Sequence, residues 1–237
     1  MKIVSLIIFA TLPFLLAAEK ASPISTFSIV AHDPQTGELG VAVQSKLVAV
    51  GAIVPYAQAS IGAIATQAWG NTRFGPIGLE LLRNGANAEK TLSIMIKADP
   101  NRAHRQLAII DINGNVSVHT GKDCMDWAGH KTGKGYSVQG NLLVGPEVIN
   151  SMAHTFENSN GSLAQRMIDS LRSAQKQGGD RRGRQSAALL VVRKGWGYGG
   201  LNDRFRDIRV DDHVKPIEEL QRIYHIHKKT FPRPDEK

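Results

Sequence analysis

The stretch Thr26-Phe27-Ser28-Ile29-Val30-Ala31, followed by Asp33-Pro34-Gln35-Thr36-Gly37 and then Leu39-Gly40-Val41-Ala42-Val43, decides the architecture of this chain. Phe27, Ile29 and Ala31 alternate onto one face and Val30 onto the other, the period-two pattern of a strand. Asp33 and Pro34 open a turn and Gly37 closes it. Leu39 to Val43 is the return strand, so the two runs form a hairpin. Val48 to Val54 and Ser60 to Gln67 read as further strands, rich in Ala, Val and Ile, as strands buried on both faces are.

Beyond this hairpin the period changes. Pro76 opens a helical stretch, Ile77 to Arg83, and Gly85 stops it. Ala88 to Ala98 is a second helix, ended by Asp99-Pro100. Gln106 to Asp111 and Val116 to His119 flank Asn113-Gly114, a strong hairpin signal. Tyr136 to Val144 is another strand. Helices follow at Pro146 to Phe156 and Ser162 to Gln177, where Leu163, Met167, Ile168 and Leu171 recur at helical spacing. Gln185 to Val192 is a strand, and a last helix starts near Pro216. Neighbouring hairpins imply antiparallel pairing, and the helix pairs must cover the sheets. The expected fold is therefore α+β within the α/β class: two stacked, mostly antiparallel sheets with helices on both outer faces, and Thr26 opening a central strand.

The 237 residues suit a single domain over 26–237. A hydrophobic share of 42% with 21% charged residues fits a globular protein with a real core. The net charge of +8 attracts acidic partners. Yet the basic residues form only short clusters, Arg181-Arg182-Gly183-Arg184 and Lys228-Lys229, without interleaved aromatics, so no nucleic-acid partner is expected. The lone Cys124 cannot form an internal disulfide and reads as a small apolar filler beside Trp127. Asp211, Asp212 and His213 have metal-binding chemistry, but no second cluster has ligand spacing, and His225 and His227 point to different helix faces. Neither a metal nor a cofactor is expected.

Residues 1–18, MKIVSLIIFATLPFLLAA, read as a signal peptide: Lys2 is the positive start, Ile3 to Leu16 the apolar stretch, and Ala17, Ala18 and Ala21 the small residues at a cleavage site. The run is shorter than the ~20 residues of a spanning helix and is interrupted by Pro13. Export to the periplasm or the cell exterior is expected, with cleavage as late as residue 25 and no stable membrane insertion after processing.

The hairpin stretch from Thr26 to Lys46 resembles the opening of one uncharacterised family, a "domain of unknown function". Four later stretches match it in order: Gly62 to Pro76 (GAIATQAWGNTRFGP), His119 to His130 (HTGKDCMDWAGH), Gln139 to Val148 (QGNLLVGPEV) and Gly178 to Val192 (GGDRRGRQSAALLVV). The segment ending at Leu220, DIRVDDHVKPIEEL, is similar to the family's C-terminal end. That family is placed in the N-terminal-nucleophile (Ntn) hydrolase superfamily, which implies a four-layer αββα sandwich. It also implies hydrolysis of an amide or peptide-like bond in a small substrate. In that superfamily the hydroxyl or thiol of the first mature residue attacks, and its own α-amine is the base. A free α-amine has a pKa of about 7.7–8.0, so part of it is neutral and able to take the hydroxyl proton.

On this resemblance Thr26 is the candidate nucleophile, exposed by a processing cut before it; it reads equally as a β-branched strand starter. Lys46, just past the return strand, falls near Thr26 if the hairpin pairs, where it would lower the amine pKa; a surface lysine is the other reading. Asn141 and Asn71 are candidate oxyanion donors, although Asn after Gly also suits ordinary turns. Asp180 and Ser186 flank the arginine-rich loop and are candidates to orient substrate, with Arg182 or Arg73 to clamp a carboxylate. His130 completes a set expected to converge on one pocket. The rival is an exported binding or envelope protein on the same fold without catalysis. Oligomerisation is left open.

Overall fold

The computed structural model describes residues 26–236; the signal-peptide expectation lies outside them. Among the described residues are two antiparallel sheets and five α-helices. The strands are β1 (Thr26–Asp33), β2 (Glu38–Ser45), β3 (Pro55–Gln58), β4 (Gly62–Ala68), β5 (Arg105–Asp111), β6 (Val116–Thr120), β7 (Gly129–Gly133), β8 (Tyr136–Asn141), β9 (Ser186–Val192) and β10 (Arg204–Val210). The helices are α1 (Phe74–Arg83), α2 (Ala88–Ala98), α3 (Glu147–Asn158), α4 (Leu163–Lys176) and α5 (Pro216–Thr230). One sheet runs β10-β9-β2-β1-β8-β7 and the other β3-β4-β5-β6.

The opening hairpin is as expected. Thr26 pairs with Ser45 and the register runs to Asp33 opposite Glu38. Gly37, at φ 71°, takes the left-handed turn position that Cβ-bearing residues rarely adopt. Thr26 also pairs with Asn141, so β1 lies inside the six-stranded sheet. One expectation fails. Residues 48–54 are not a strand but a loop holding one 3₁₀ turn, Val50–Ala52, and the strand comes later, at Pro55–Gln58. Val50 and Val54 are buried there as plugs, which explains why apolar composition alone misled. Strands β7 and β10 were unforeseen. β7 reads Gly-His-Lys-Thr-Gly, and β10 carries four charged residues among its seven, so neither has the composition of a buried strand.

Side-chain alternation sorts the interior into three clusters. Phe27, Ile29 and Ala31 of β1 join Leu189 and Val191 of β9 and residues of α3, α4 and α5, such as Met152, Met167 and Leu220. The opposite face of the same sheet, with Val30, Val41, Val43 and Leu190, meets Ala63, Ala65, Ala108 and Ile110 of the second sheet. The second sheet's other face, with Ile64, Leu107 and Ile109, packs on Phe74 and Leu82 of α1 and Met95 of α2. Each fully buried Val, Leu or Ile contributes about 1.5–3 kcal/mol relative to exposure, so these three clusters hold the fold together. Gly62 is a point of close approach: a Cβ there would lie 2.5 Å from the carbonyl oxygen of Ile110 and 2.6 Å from Leu82 Cδ1.

The chain's last turn is tied back to the hairpin. Arg233 Nη1 donates to both oxygens of the buried Glu38 at 3.1 and 2.9 Å. Its guanidinium also binds Asp235 and lies 5.1 Å from the centre of the Trp196 ring. Among the described residues no helix is long and apolar enough to cross a membrane.

Candidate active site between the sheets

Strand alternation puts Thr26 and Ser28 on the same face as Val30, toward the second sheet. Ser45, Ser186, Gln139 and Asn141 share that face of their strands, and Gln67, Gln106 and Thr120 are on the facing side of the second sheet. The space between the sheets is thus apolar through Val30 and Val41 and turns polar at the end where β1 begins. All of these polar residues except Thr120 are buried.

The polar end is wired by hydrogen bonds. Thr26 Oγ1 donates to Ser45 Oγ at 3.2 Å. Ser28 Oγ donates to Gln67 Oε1 at 2.6 Å and accepts from Gln139 Nε2 at 2.7 Å. Gln67 Nε2 donates to Gln106 Oε1 at 2.8 Å and reaches the carbonyl oxygen of Thr26 at 3.5 Å. Asn141 Nδ2 points to the same Gln106 Oε1 at 3.4 Å, and Gln106 Nε2 donates to Thr120 Oγ1 at 3.0 Å. Thr120 Oγ1 lies 2.8 Å from His130 Nδ1. Buried amides joined this way are held in fixed orientations, because leaving any one unpaired costs about 1–3 kcal/mol.

The residues singled out from sequence divide into three groups. Thr26 and Asn141 are cross-strand partners in the polar end, and His130 reaches it through Thr120. Asp180, Lys46, Arg182 and Ser186 form an adjoining edge. The buried Asp180 carboxylate accepts from the backbone N–H of Lys46 at 3.0 Å and of Arg182 at 2.8 Å, and pairs with the Arg182 guanidinium at 3.2 Å. Ser186 Oγ donates to the Leu47 carbonyl oxygen and accepts from Val50 N–H at 3.1 Å, so it fixes the loop after β2. The Lys46 side chain is exposed at that rim and is not part of the buried network. Asn71 and Arg73 lie elsewhere. Asn71 accepts from Arg73 N–H at 3.2 Å in the turn before α1, and both line a groove of about 330 Å³ with Ile77, Met95 and Asp99. The residues that sequence reasoning missed are Ser28, Ser45, Gln67, Gln106 and Gln139. Each is a polar side chain on the strand face that turns toward the other sheet.

A cavity of about 490 Å³ lined by Trp69, Asn101, His104 and Arg105 lies at the same end of the second sheet. Trp69 follows Gln67 by two positions, and Arg105 precedes Gln106. The volume is that of a small-molecule pocket, ~300–1,000 Å³. Cys124, nearby, donates weakly to the Arg105 carbonyl oxygen at 3.4 Å, and burial pushes its thiol up to about 11, which makes it an inert filler. Among the described residues no group of three or more His, Cys, Asp or Glu could hold a metal ion.

Burial holds the imidazoles of His32, His130 and His227 below the ordinary histidine value. His119 adds to the effect at His130 and Arg206 at His227, while Asp33 and Asp111 oppose it at His32. Each therefore binds its proton more readily in the unfolded chain. Stability present above the unfolded value of about 6.5 is lost as the pH falls through the window down to the lowered folded values. The Tm is expected to drop below about pH 6.5 and to drop less when the three are replaced by glutamine. Thermal melts from pH 8 to 5 check this; parallel curves for the two proteins contradict it.

One solved structure agrees with the mixed α/β fold of two antiparallel sheets. A search of curated proteins gives no significant match. The crystal structure of protein SPO2555 from Silicibacter pomeroyi, of the same family as given below, aligns with a TM-score of 0.78 at 31% identity, covering 86% of this chain and 89% of that one. Anbu (ancestral beta-subunit) from Yersinia bercovieri aligns over 86% of this chain and 95% of its own at 11% identity, with a TM-score of 0.38. The sequence model described as "Family of unknown function (DUF1028)" matches residues 26–220, starting at the residue that opens β1. With that match over most of its length, the chain belongs to the DUF1028 family.

Proposed function

We propose that this protein is an exported hydrolase of the N-terminal-nucleophile type, built as a four-layer αββα sandwich, that cleaves an amide or peptide-like bond in a small substrate. One observation carries the reading. Thr26 opens a central strand with its hydroxyl in the polar end between the sheets, hydrogen-bonded to Ser45 and flanked by Asn141. Burying polar groups costs stability unless they are hydrogen-bonded, and departures from an apolar core gather at functional sites.

In the reaction, the freed α-amine of Thr26 takes the proton of Oγ1 as that oxygen bonds to the scissile carbonyl carbon. Asn141 Nδ2 donates to the oxyanion of the tetrahedral intermediate. The proton then passes to the leaving nitrogen as the C–N bond breaks, which leaves an ester on Thr26. Water, deprotonated by the same amine, hydrolyses that ester. Gln67 and Gln106 keep Asn141 and the Thr26 backbone in place, and the cavity beside Trp69 takes the substrate body. The nitrogen of Thr26 is bonded to Ser25 in the full chain and has no basic lone pair, so a cut before residue 26 must precede activity.

The test is hydrolysis of an amide panel by protein made to begin at Thr26. Release of a new amine, with an ester-linked acyl group on Thr26 trapped by mass spectrometry, is the expected result. No hydrolysis across the panel, together with exported protein that always retains residues before Thr26, supports a non-catalytic binding protein instead.

A further inference from the structure

We propose that the amide cleaved at Thr26 belongs to a substrate bearing a carboxylate close to the scissile bond, and that Lys46 and Arg182 recognise this carboxylate. This inference rests on the hydrolase reading above. The buried polar end is lined by neutral groups: Ser28, Ser45, Gln67, Gln106, Gln139 and Asn141 hold the amide without charge. Charge enters at the edge. Asp180 is fully engaged as internal scaffold, since Oδ2 accepts from Lys46 N–H at 3.0 Å and Arg182 Nη2 at 3.2 Å, and Oδ1 accepts from Arg182 N–H at 2.8 Å and Nε at 3.3 Å. Its side chain is 0% exposed, whereas that of Arg182 is 34% exposed. The acid therefore orients the guanidinium and ties it to the chain leaving β2, and the arginine extends to the surface.

Lys46 follows Ser45, whose hydroxyl touches Thr26. Its side chain is exposed, and among the described residues no carboxylate forms an ion pair with it. The other cations of this edge are directed away: Arg181 donates to the Asp126 carbonyl oxygen at 2.9 Å and Arg184 pairs with Glu218 at 3.6 Å. The exposed Lys46, one residue past Ser45, brings positive charge to this edge beside the half-exposed Arg182. A planar guanidinium and a mobile ammonium are complementary ligands for one carboxylate. The chain's +8 charge adds long-range attraction for an anion.

The experiment uses protein beginning at Thr26 and matched substrates that differ only in a free carboxylate against a carboxamide. Hydrolysis is followed by kcat/KM, and binding of the matched acyl-blocked pair is followed by calorimetry, so that recognition is read with or without turnover. The carboxylate is expected to be preferred by roughly tenfold or more, as one charge-assisted hydrogen bond supplies, with the preference shrinking as salt is raised. Lys46→Met is expected to cut the preference several-fold, and Arg182→Gln to bring it near unity, while Arg182→Lys keeps part of it. Because Arg182→Gln leaves the buried Asp180 short of a partner, Lys46→Met stands as the independent arm if that variant does not fold. Equal hydrolysis of both substrates overturns carboxylate recognition but leaves the hydrolase reading intact. Equal binding of both ligands, or a preference unmoved by Lys46→Met, also overturns it. Absence of hydrolysis together with a carboxylate preference in calorimetry overturns the hydrolase reading on which the inference rests.

Discussion

Thr26→Ala, made in protein that begins at residue 26, is expected to lower kcat/KM for amide hydrolysis by on the order of 10⁴-fold or more, because without Oγ1 no acyl-enzyme forms and the remaining groups only bind and polarise. Thr26→Ser keeps the hydroxyl and the amine on one residue, so it is expected to retain measurable turnover, reduced because the lost methyl no longer restricts the rotamer. The fold should survive both changes. Thr26→Ala loses the hydrogen bond to Ser45 Oγ at 3.2 Å, while the backbone ladder to β2 and β8 does not depend on the side chain. A single buried hydrogen bond contributes about 0.5–1.5 kcal/mol, so Tm should move by only a few degrees. Kinetics and melting of the same preparations check both halves; alanine protein with parental kcat/KM removes Thr26 as nucleophile.

The largest stability effect is expected far from that site. Arg233→Met keeps a long apolar side chain but leaves the Glu38 carboxylate, which is 0% exposed, without its guanidinium. Breaking a buried ion pair from one side costs about 3–5 kcal/mol, because an uncompensated charge stays inside. Adding Glu38→Gln should recover part of the loss, since the neutral amide can be buried at lower cost. Chemical denaturation of the two single variants and the double variant measures the coupling. Additive losses would show that the pair is not a unit. The pair also fastens the segment after α5 to the start of β2.

Much of this architecture was legible in the sequence. Period-two alternation in 26–31, the Asp-Pro turn and the Asn113-Gly114 signal gave the hairpins. Apolar spacing in 163–171 gave α4, and Thr26 inside a central strand followed from pairing the hairpin. The failures have physical causes. The segment 48–54 carries strand-like composition, yet Val50 and Val54 are buried from a loop anchored by Ser186. The strands β7 and β10 are at the two edges of their sheet, where polar and charged residues meet solvent and the apolar pattern fades.

The site was legible in its ends but not in its middle. Thr26 follows from the family resemblance and Asn141 from its residue type, and the structure pairs the two across β1 and β8. The glutamines did not stand out, because a single amide in a strand such as Arg105–Asp111 becomes meaningful only when the facing sheet brings another to 2.8 Å, as Gln67 and Gln106 do. Asn71 and Arg73 looked like members of the site because they follow β4 closely. The chain turns into α1 there, and they line a separate groove with Asp99.

In the proposed mechanism the α-amine of Thr26 is the base, which makes the first residue of the protein decisive. Two proteins are prepared, one beginning at Thr26 and one beginning at Ser25, and each is assayed on the same carboxylate-bearing amide after mass spectrometry has confirmed its first residue. Turnover is expected from the first and none from the second until its extra residue is lost, since a single added peptide bond removes the basic lone pair. Equal turnover by both proteins, with Ser25 still in place, would contradict it.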